Sequence, residues 1–386
     1  MQGFWEKLPK PFFAVAPMAN VTDAAFRRMF AKYGKPDVMW TEFVSADGLV
    51  KRNREVLVRD LAYTEGERPI VAQFFTATPA SMEEAARLAE ELGFDGIDIN
   101  MGCPDRSVEK QGAGAKLMLK PDLALEIIAA AKRGAPNTPI SVKTRLGYNK
   151  DILETWLPIL LSAEPAAITV HARTRKEMSL VPARWERVKR AVEIRNEVGS
   201  KTLILGNGDV RDLADAHAKA AESGADAVMI GRAIFGKPWF FAGAAESRLL
   251  PVRDFSAEKS LSPRAVALRG QESTDFPPEA KEKVLEQTVW PEGGLKAAEG
   301  EPRTFAKEAF SEALPLETRL RIAVEHAKLY EELLGDIKSF AMMKKHFKAY
   351  VEGFPGAREL RAELMETSSA AEVEQIIERF LAVRYT

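Results

Sequence analysis

The chain's single cysteine lies in INMGCPDRS (99–107), between a glycine and a proline, just past a β-type run. One cysteine forms no internal disulfide. Cys103 also has no Cys-x-x-Cys partner, so neither disulfide exchange nor a zinc site follows from it. A thiol with an ordinary pKa near ~8.5 keeps its proton at neutral pH. Cys103 is therefore suited to act as a general acid that gives a proton to carbon. Nucleophilic attack is the other chemistry open to a thiol, but no acid–base residue sits beside it in sequence to activate it. The plain alternative is a small buried hydrophobe.

Other reactive groups stand at the ends of β-type runs. In chain order these ends carry Pro17 and Met18, Glu42, Gln73, Asn100 with Cys103, Lys143 with Arg145, His171 with Arg173, Asn207, and Gly231 with Arg232. An ammonium at Lys143 suits an anionic ring or an electron-rich carbonyl; the alternative is a lysine that snorkels to solvent. His171 suits a ring carbonyl or a phosphate, or is a structural hydrogen-bonder. GNGDV (206–210), with Gly208, and IGR (230–232) supply glycines and backbone N–H groups of the kind that bind phosphate, and Arg232 adds a charge-assisted donor.

These residues share a site only if their elements bring them together. Eight apolar runs begin near residues 12, 38, 69, 96, 139, 166, 202 and 227. Each is followed by a helical pattern: Thr22 to Tyr33, SMEEAARLAEELG with Ser81 as N-cap, PDLALEIIAAAKRGA opened by Pro121, and so on to a short helix near GKPWFFAGAAES. Strands apolar along their length suit a parallel sheet covered by helices. Eight strand–helix units predict an α/β fold, a (β/α)8 TIM barrel, with the strand-end residues gathered at one mouth. A doubly wound open sheet is the alternative. Residues 251–315 are rich in Pro, Glu, Ser and Gly and read as a linker or insertion. From Leu316 helical patterning returns to the end, which predicts a small C-terminal all-helical domain over 316–386 after a barrel over 1–250.

Composition narrows the function classes. A formal net charge of -1 leaves no global field for polyanions, so nucleic-acid binding needs a local basic patch. No signal-peptide pattern opens the chain, and no apolar run approaches the ~20 residues that span a bilayer. A cytoplasmic protein with no membrane partner is expected.

As a set, APMANVTDAAFRRMF, TEFVSADGL, QFF, DINMGCP, GAGAKLM, VKTRLGY, HART, GNGDV and GRAIFGKPWFF resemble the dihydrouridine synthase family. The resemblance runs from about residue 10 to 245 and resumes near 316 with MMKKHFKAYVEGFPGARELRAEL. It implies a flavin mononucleotide (FMN) barrel that reduces the C5=C6 bond of selected uridines in tRNA, with NADPH (or NADH) as reductant. It also implies Pro17, Met18, Gln73, Lys143, His171, Asn207, Gly208, Gly231 and Arg232 as flavin contacts. Cys103 matches the catalytic acid, and Asn100 and Arg173 match residues near the target uracil. Arg52, Arg54, Arg106, Lys110, Lys344, Lys345, His346 and Lys348 are candidate tRNA contacts. No stable protein partner is expected, and a monomer is. The 251–315 run is longer than the family's usual passage and bears on which uridine is chosen. Two other readings remain at this point: a flavin barrel acting on free pyrimidines, of the dihydroorotate or dihydropyrimidine dehydrogenase kind, and a tRNA-binding protein without turnover.

Overall fold

The computed structural model describes residues 3–50, 55–242 and 314–385. The 251–313 stretch, Arg52 and Arg54 lie outside the described residues.

Eight parallel strands form one sheet: β1 (Phe12–Val15), β2 (Met39–Ser45), β3 (Ile70–Phe75), β4 (Gly96–Met101), β5 (Ile140–Arg145), β6 (Ala167–His171), β7 (Leu203–Asn207) and β8 (Ala227–Ile230). Each pairs with its sequence neighbour from β2 to β8, and β8 returns to β1 with Phe12 opposite Ala227. Ala14 bridges to Val38 just ahead of β2, which brings the two ends of the sheet together. The order is that of a barrel and excludes the doubly wound alternative, whose strand order would reverse at a switch point.

Helices alternate with the strands: α1 (Ala24–Tyr33), α2 (Ala46–Leu49), α3 (Glu55–Arg59), α4 (Pro79–Glu91), α5 (Arg106–Lys110), α6 (Pro121–Gly134), α7 (Leu153–Ser162), α8 (Trp185–Glu197) and α9 (Leu213–Ser223). Their starts follow local chemistry. Asp23 caps α1 by accepting from the Phe26 N–H at 2.9 Å, and Pro121 opens α6. For α4 the N-cap is Thr78, not Ser81: Pro79 takes the first helical position, and Ser81 lies buried in the first turn. After β8 the described chain makes a 3-10 turn, Arg232–Ile234, and further turns that seat Phe241 in the core; the rest of the expected last helix, from residue 243, lies outside the described residues.

Inward-facing side chains change character along the barrel axis. At the amino end Trp5, Phe12, Ala14, Trp40, Val71, Leu203, Leu205 and Met229 form a dry plug, with the Trp5 and Trp40 rings 5.8 Å apart. Further along β3 to β7 the inner positions become polar: Gln73, Asp98 and Asn100, Lys143, His171, Asn207. The register sets Asn100 beside Lys143, and Arg145 and Asn207 on either side of His171.

Helices α10 (Leu316–Leu334), α11 (Lys344–Tyr350), α12 (Ala357–Glu366) and α13 (Ala370–Tyr385) form the C-terminal helical region. It packs on α1 and shares one apolar cluster with the barrel's outer layer. Phe26 of α1 stacks on His326 at 5.0 Å and meets the His346 ring edge-on at 4.4 Å. His346 is fully enclosed there and cannot touch RNA, which corrects its reading as a tRNA contact. Its place in the stripe Met343, His346, Phe347, Tyr350 turns it inward.

Candidate active site

A cavity of about 720 Å³ opens at the carboxyl ends of the strands. Pro17, Met18, Gln73, Asn100, Cys103, Lys143, His171, Arg173, Asn207, Gly208, Gly231 and Arg232 all line it. The sequence-predicted site residues thus converge on one mouth, except Glu42, which does not line it and pairs with Lys338. The volume lies within the range of small-molecule and cofactor pockets.

One directional chain of hydrogen bonds runs from the barrel centre to the thiol loop. Ser141 Oγ donates to Asp98 Oδ1 at 2.6 Å, and Gln73 Nε2 donates to Asp98 Oδ2 at 2.6 Å. Gln73 Oε1 then accepts from Asn100 Nδ2 at 3.0 Å. Asn100 Oδ1, left facing outward, accepts from the backbone N–H groups of Gly102 (3.2 Å) and Cys103 (2.9 Å). A carboxylate only accepts, so Asp98 sets the sense of both amides above it. Burial pushes Asp98 up to about 6, against the hydrogen bonds that hold it down. It is therefore mostly ionised at neutral pH.

Cys103 is half-buried against Phe75, Val108 and Ala113. Burial raises its pKa, partly offset by a backbone hydrogen bond, so the thiol holds its proton at neutral pH. The loop that carries it is clamped from β5, since Arg145 Nε donates to Gly102 O at 2.8 Å.

Cations dominate the remaining wall. Lys143 Nζ donates to Asn207 Oδ1 at 3.3 Å, and Asn207 Nδ2 donates to Met229 O at 2.8 Å, which fixes that amide. Burial first and Arg145 second lower the Lys143 ammonium to about 8. Burial also carries His171 well below its ordinary value, with Arg145, Lys143, Arg173 and Arg232 adding repulsion, so the ring is neutral. Its Nε2 lies 3.3 Å from a guanidinium nitrogen of Arg173, which can only donate. Nε2 is thus the acceptor and Nδ1 carries the proton.

Asp209, in the GNGDV loop, pairs with both Arg173 and Arg232, the latter at 2.9 Å. Burial alone would raise its pKa, but the Arg173 hydrogen bond, the Ala183 N–H and the two guanidinium charges bring it below the ordinary value. Gly208 has φ +130°, and a Cβ there would lie 2.7 Å from that of Ala183. Trp185 Nε1 ties the Gly208 carbonyl down at 2.8 Å. At Gly231 a Cβ would meet nothing closer than 3.8 Å and would fill cavity space beside Met18 instead. A pocket rich in cations, with Gly208 and Gly231 on its lining, fits a ligand that carries phosphate and an electron-rich ring.

Reading strand ends alone singles out Arg145 without a role and leaves out Asp98 and Asp209. Asp98 was detectable as the inward position two before Asn100. The reach of Arg145 and the double pairing of Asp209 are tertiary contacts with no local signal. Arg106 and Lys110 are exposed on α5, and Lys344, Lys345 and Lys348 stand partly or fully exposed on α11. Among the described residues no helix is long and apolar enough to cross a membrane.

The chain matches the family described as "Dihydrouridine synthase (Dus)" over residues 14–263 and 295–384. It is 34% identical over 384 residues to a "Probable tRNA-dihydrouridine synthase" of Staphylococcus aureus (strain COL), covering 99% of this chain and 96% of the relative. It is 33% identical over 382 residues to "Probable tRNA-dihydrouridine synthase 2" of Bacillus subtilis (strain 168), covering 98% and 97%. Among solved structures, morphinone reductase overlaps with a TM-score of 0.45 at 13% identity, covering 64% of this chain and 88% of the other, a likeness too loose to bear on fold or function. Family match and full-length relatives together place the chain in the dihydrouridine synthase family.

Proposed function

We propose that this protein is an FMN- and NADPH-dependent tRNA-dihydrouridine synthase in which Cys103 is the general acid. The observation that carries the reading is the convergence of one protonated thiol and a wall of cations on a single cavity.

FMN would be held by Pro17, Met18, Gln73, Lys143, His171, Asn207, Gly208, Gly231 and Arg232. When bound and reduced by NADPH, it supplies the hydride that C6 of the uracil receives. Cys103 gives its proton to C5, so the C5=C6 double bond becomes single and the thiolate left behind is reprotonated from solvent. Lys143 offsets negative charge on the cofactor ring, and the neutral His171 donates from Nδ1. Arg232, oriented by Asp209, supplies charge for the phosphate. Asn100 fixes the backbone under the thiol and, with Arg173, faces the target base. The uridine must leave its stack to reach this mouth. Arg106, Lys110, Lys344, Lys345 and Lys348 are the exposed cations proposed to meet the tRNA backbone.

Mass-spectrometric mapping of dihydrouridine in tRNA from cells lacking this protein tests the reading. The account expects at least one position to lose the modification and to regain it on complementation. An unchanged map would contradict it.

A further inference from the structure

The loop between β6 and α8 carries an apolar group that the proposed chemistry does not use. Eight large apolar side chains are exposed among the described residues, and three of them, Met178, Leu180 and Val181, fall within four positions. Leu180 is 87% exposed. The residue between Met178 and Leu180, Ser179, lines the catalytic cavity, so this group stands on its rim.

The loop is tied down although its apex is bare. Arg145 donates to the carbonyls of Thr174 (3.1 Å) and Met178 (3.2 Å), and Arg173 Nε donates to that of Val181 at 2.6 Å. Both arginines are buried and both line the cavity. Glu177 accepts from the Thr174 N–H at 2.6 Å and pairs with Arg184 at 2.8 Å. The same Arg145 guanidinium holds Gly102 O, next to the thiol. One side chain thus fixes the distance between Cys103 and the apolar apex. Holding bare hydrocarbon at a set distance from a reacting group is unfavourable in water unless something apolar covers it during turnover.

We infer that Leu180, flanked by Met178 and Val181, is a wedge that enters the tRNA stack beside the extruded uridine and occupies the gap the base leaves. An extruded base exposes the faces of its stacked neighbours, and an apolar side chain inserted there offsets the unstacking. Charge favours RNA as the occupant: Lys176 is exposed within the loop, and Arg211, with its side chain 79% exposed, lines the same cavity. Leu180 is thereby a positioning residue for the proposed reaction, and the inference rests on that reading.

The test compares the unaltered holoprotein with Leu180→Ala and Leu180→Met. Dihydrouridine formation on transcribed tRNA is measured by mass spectrometry, and reduction of the bound flavin by NADPH is measured without tRNA. Leu180→Ala should lower kcat/KM on tRNA by about tenfold, and Leu180→Met should restore most of it. Flavin reduction should be unchanged in both. An exposed side chain contributes little to folding, so a stability loss does not mimic the result. If Leu180→Ala turned over tRNA within about twofold of the unaltered protein, the wedge would be overturned and the patch left to a protein partner. If the unaltered protein itself made no dihydrouridine, the activity reading would fail and the wedge with it.

Discussion

Asn100 accepts the backbone N–H of Cys103 at 2.9 Å while its own amide donates to Gln73 at 3.0 Å. The position of the thiol is therefore set from the barrel interior, through Gln73 to Asp98, together with the Arg145 clamp on Gly102 O. Asn100→Ala removes the acceptor for two N–H groups and loosens the thiol loop, which Arg145 still holds at Gly102 O. Dihydrouridine formation should fall about a hundredfold, the typical cost of a displaced catalytic group, while the flavin stays bound. Asp98→Asn should give a smaller loss, because Gln73 can then flip. Steady-state kinetics on tRNA, with the flavin absorbance as control, check both.

The proposed contact of Lys143 with the cofactor should make cofactor affinity depend on pH. Burial lowers its ammonium to about 8 in the free protein, and an electron-rich flavin carbonyl accepting from it would raise that value again. Below pH 8 the lysine is charged before and after binding. Above pH 8 binding must take up a proton, so affinity should weaken by up to about tenfold per pH unit. Lys143→Met should bind more weakly and lose this dependence. Titrations of flavin fluorescence between pH 6.5 and 9.5, about 1.5 units either side of the lysine's pKa, read it directly.

The helical region reaches the active-site loop through a buried charge. Lys338 pairs with Glu42 at 2.6 Å and Asp60 at 2.7 Å, and Glu42 also accepts the Asn20 N–H, two residues past Met18. Lys338→Met leaves carboxylates facing one another and should cost about 3 kcal/mol of stability. Asp23 sits in the same cluster, with its pKa raised by burial and by Glu42. A carboxyl whose folded pKa is raised contributes stability at low pH and loses it as pH rises through that pKa. Asp23→Asn keeps the cap on α1 and should flatten the fall, gaining at least about 1 kcal/mol on the wild type at pH 8 relative to pH 5. Denaturant melts at the two pH values measure it.

The strands and the mouth were legible because both obey local rules. A parallel strand buried on two faces reads as a short apolar run, and polar residues at the ends of such runs mark Gln73, Asn100, Lys143, His171 and Asn207 in the sequence. Contacts across long sequence separations could not. Arg145 reaches Met178, 33 residues on, and nothing near VKTRLGY marks that partner. The α4 cap was misplaced because Pro79 is itself a helix opener that outranks a serine two positions later. His346 was misread among lysines, although the spacing of Met343, His346, Phe347 and Tyr350 already marks an inward stripe.

The most direct test of the central claim is single-turnover reaction of reduced Cys103→Ala holoprotein with tRNA, followed by mass spectrometry of the product. The account predicts normal flavin binding and normal reduction by NADPH, with dihydrouridine formation slowed at least about a hundredfold for want of the proton donor. Product formed at the rate of the unaltered protein would contradict it.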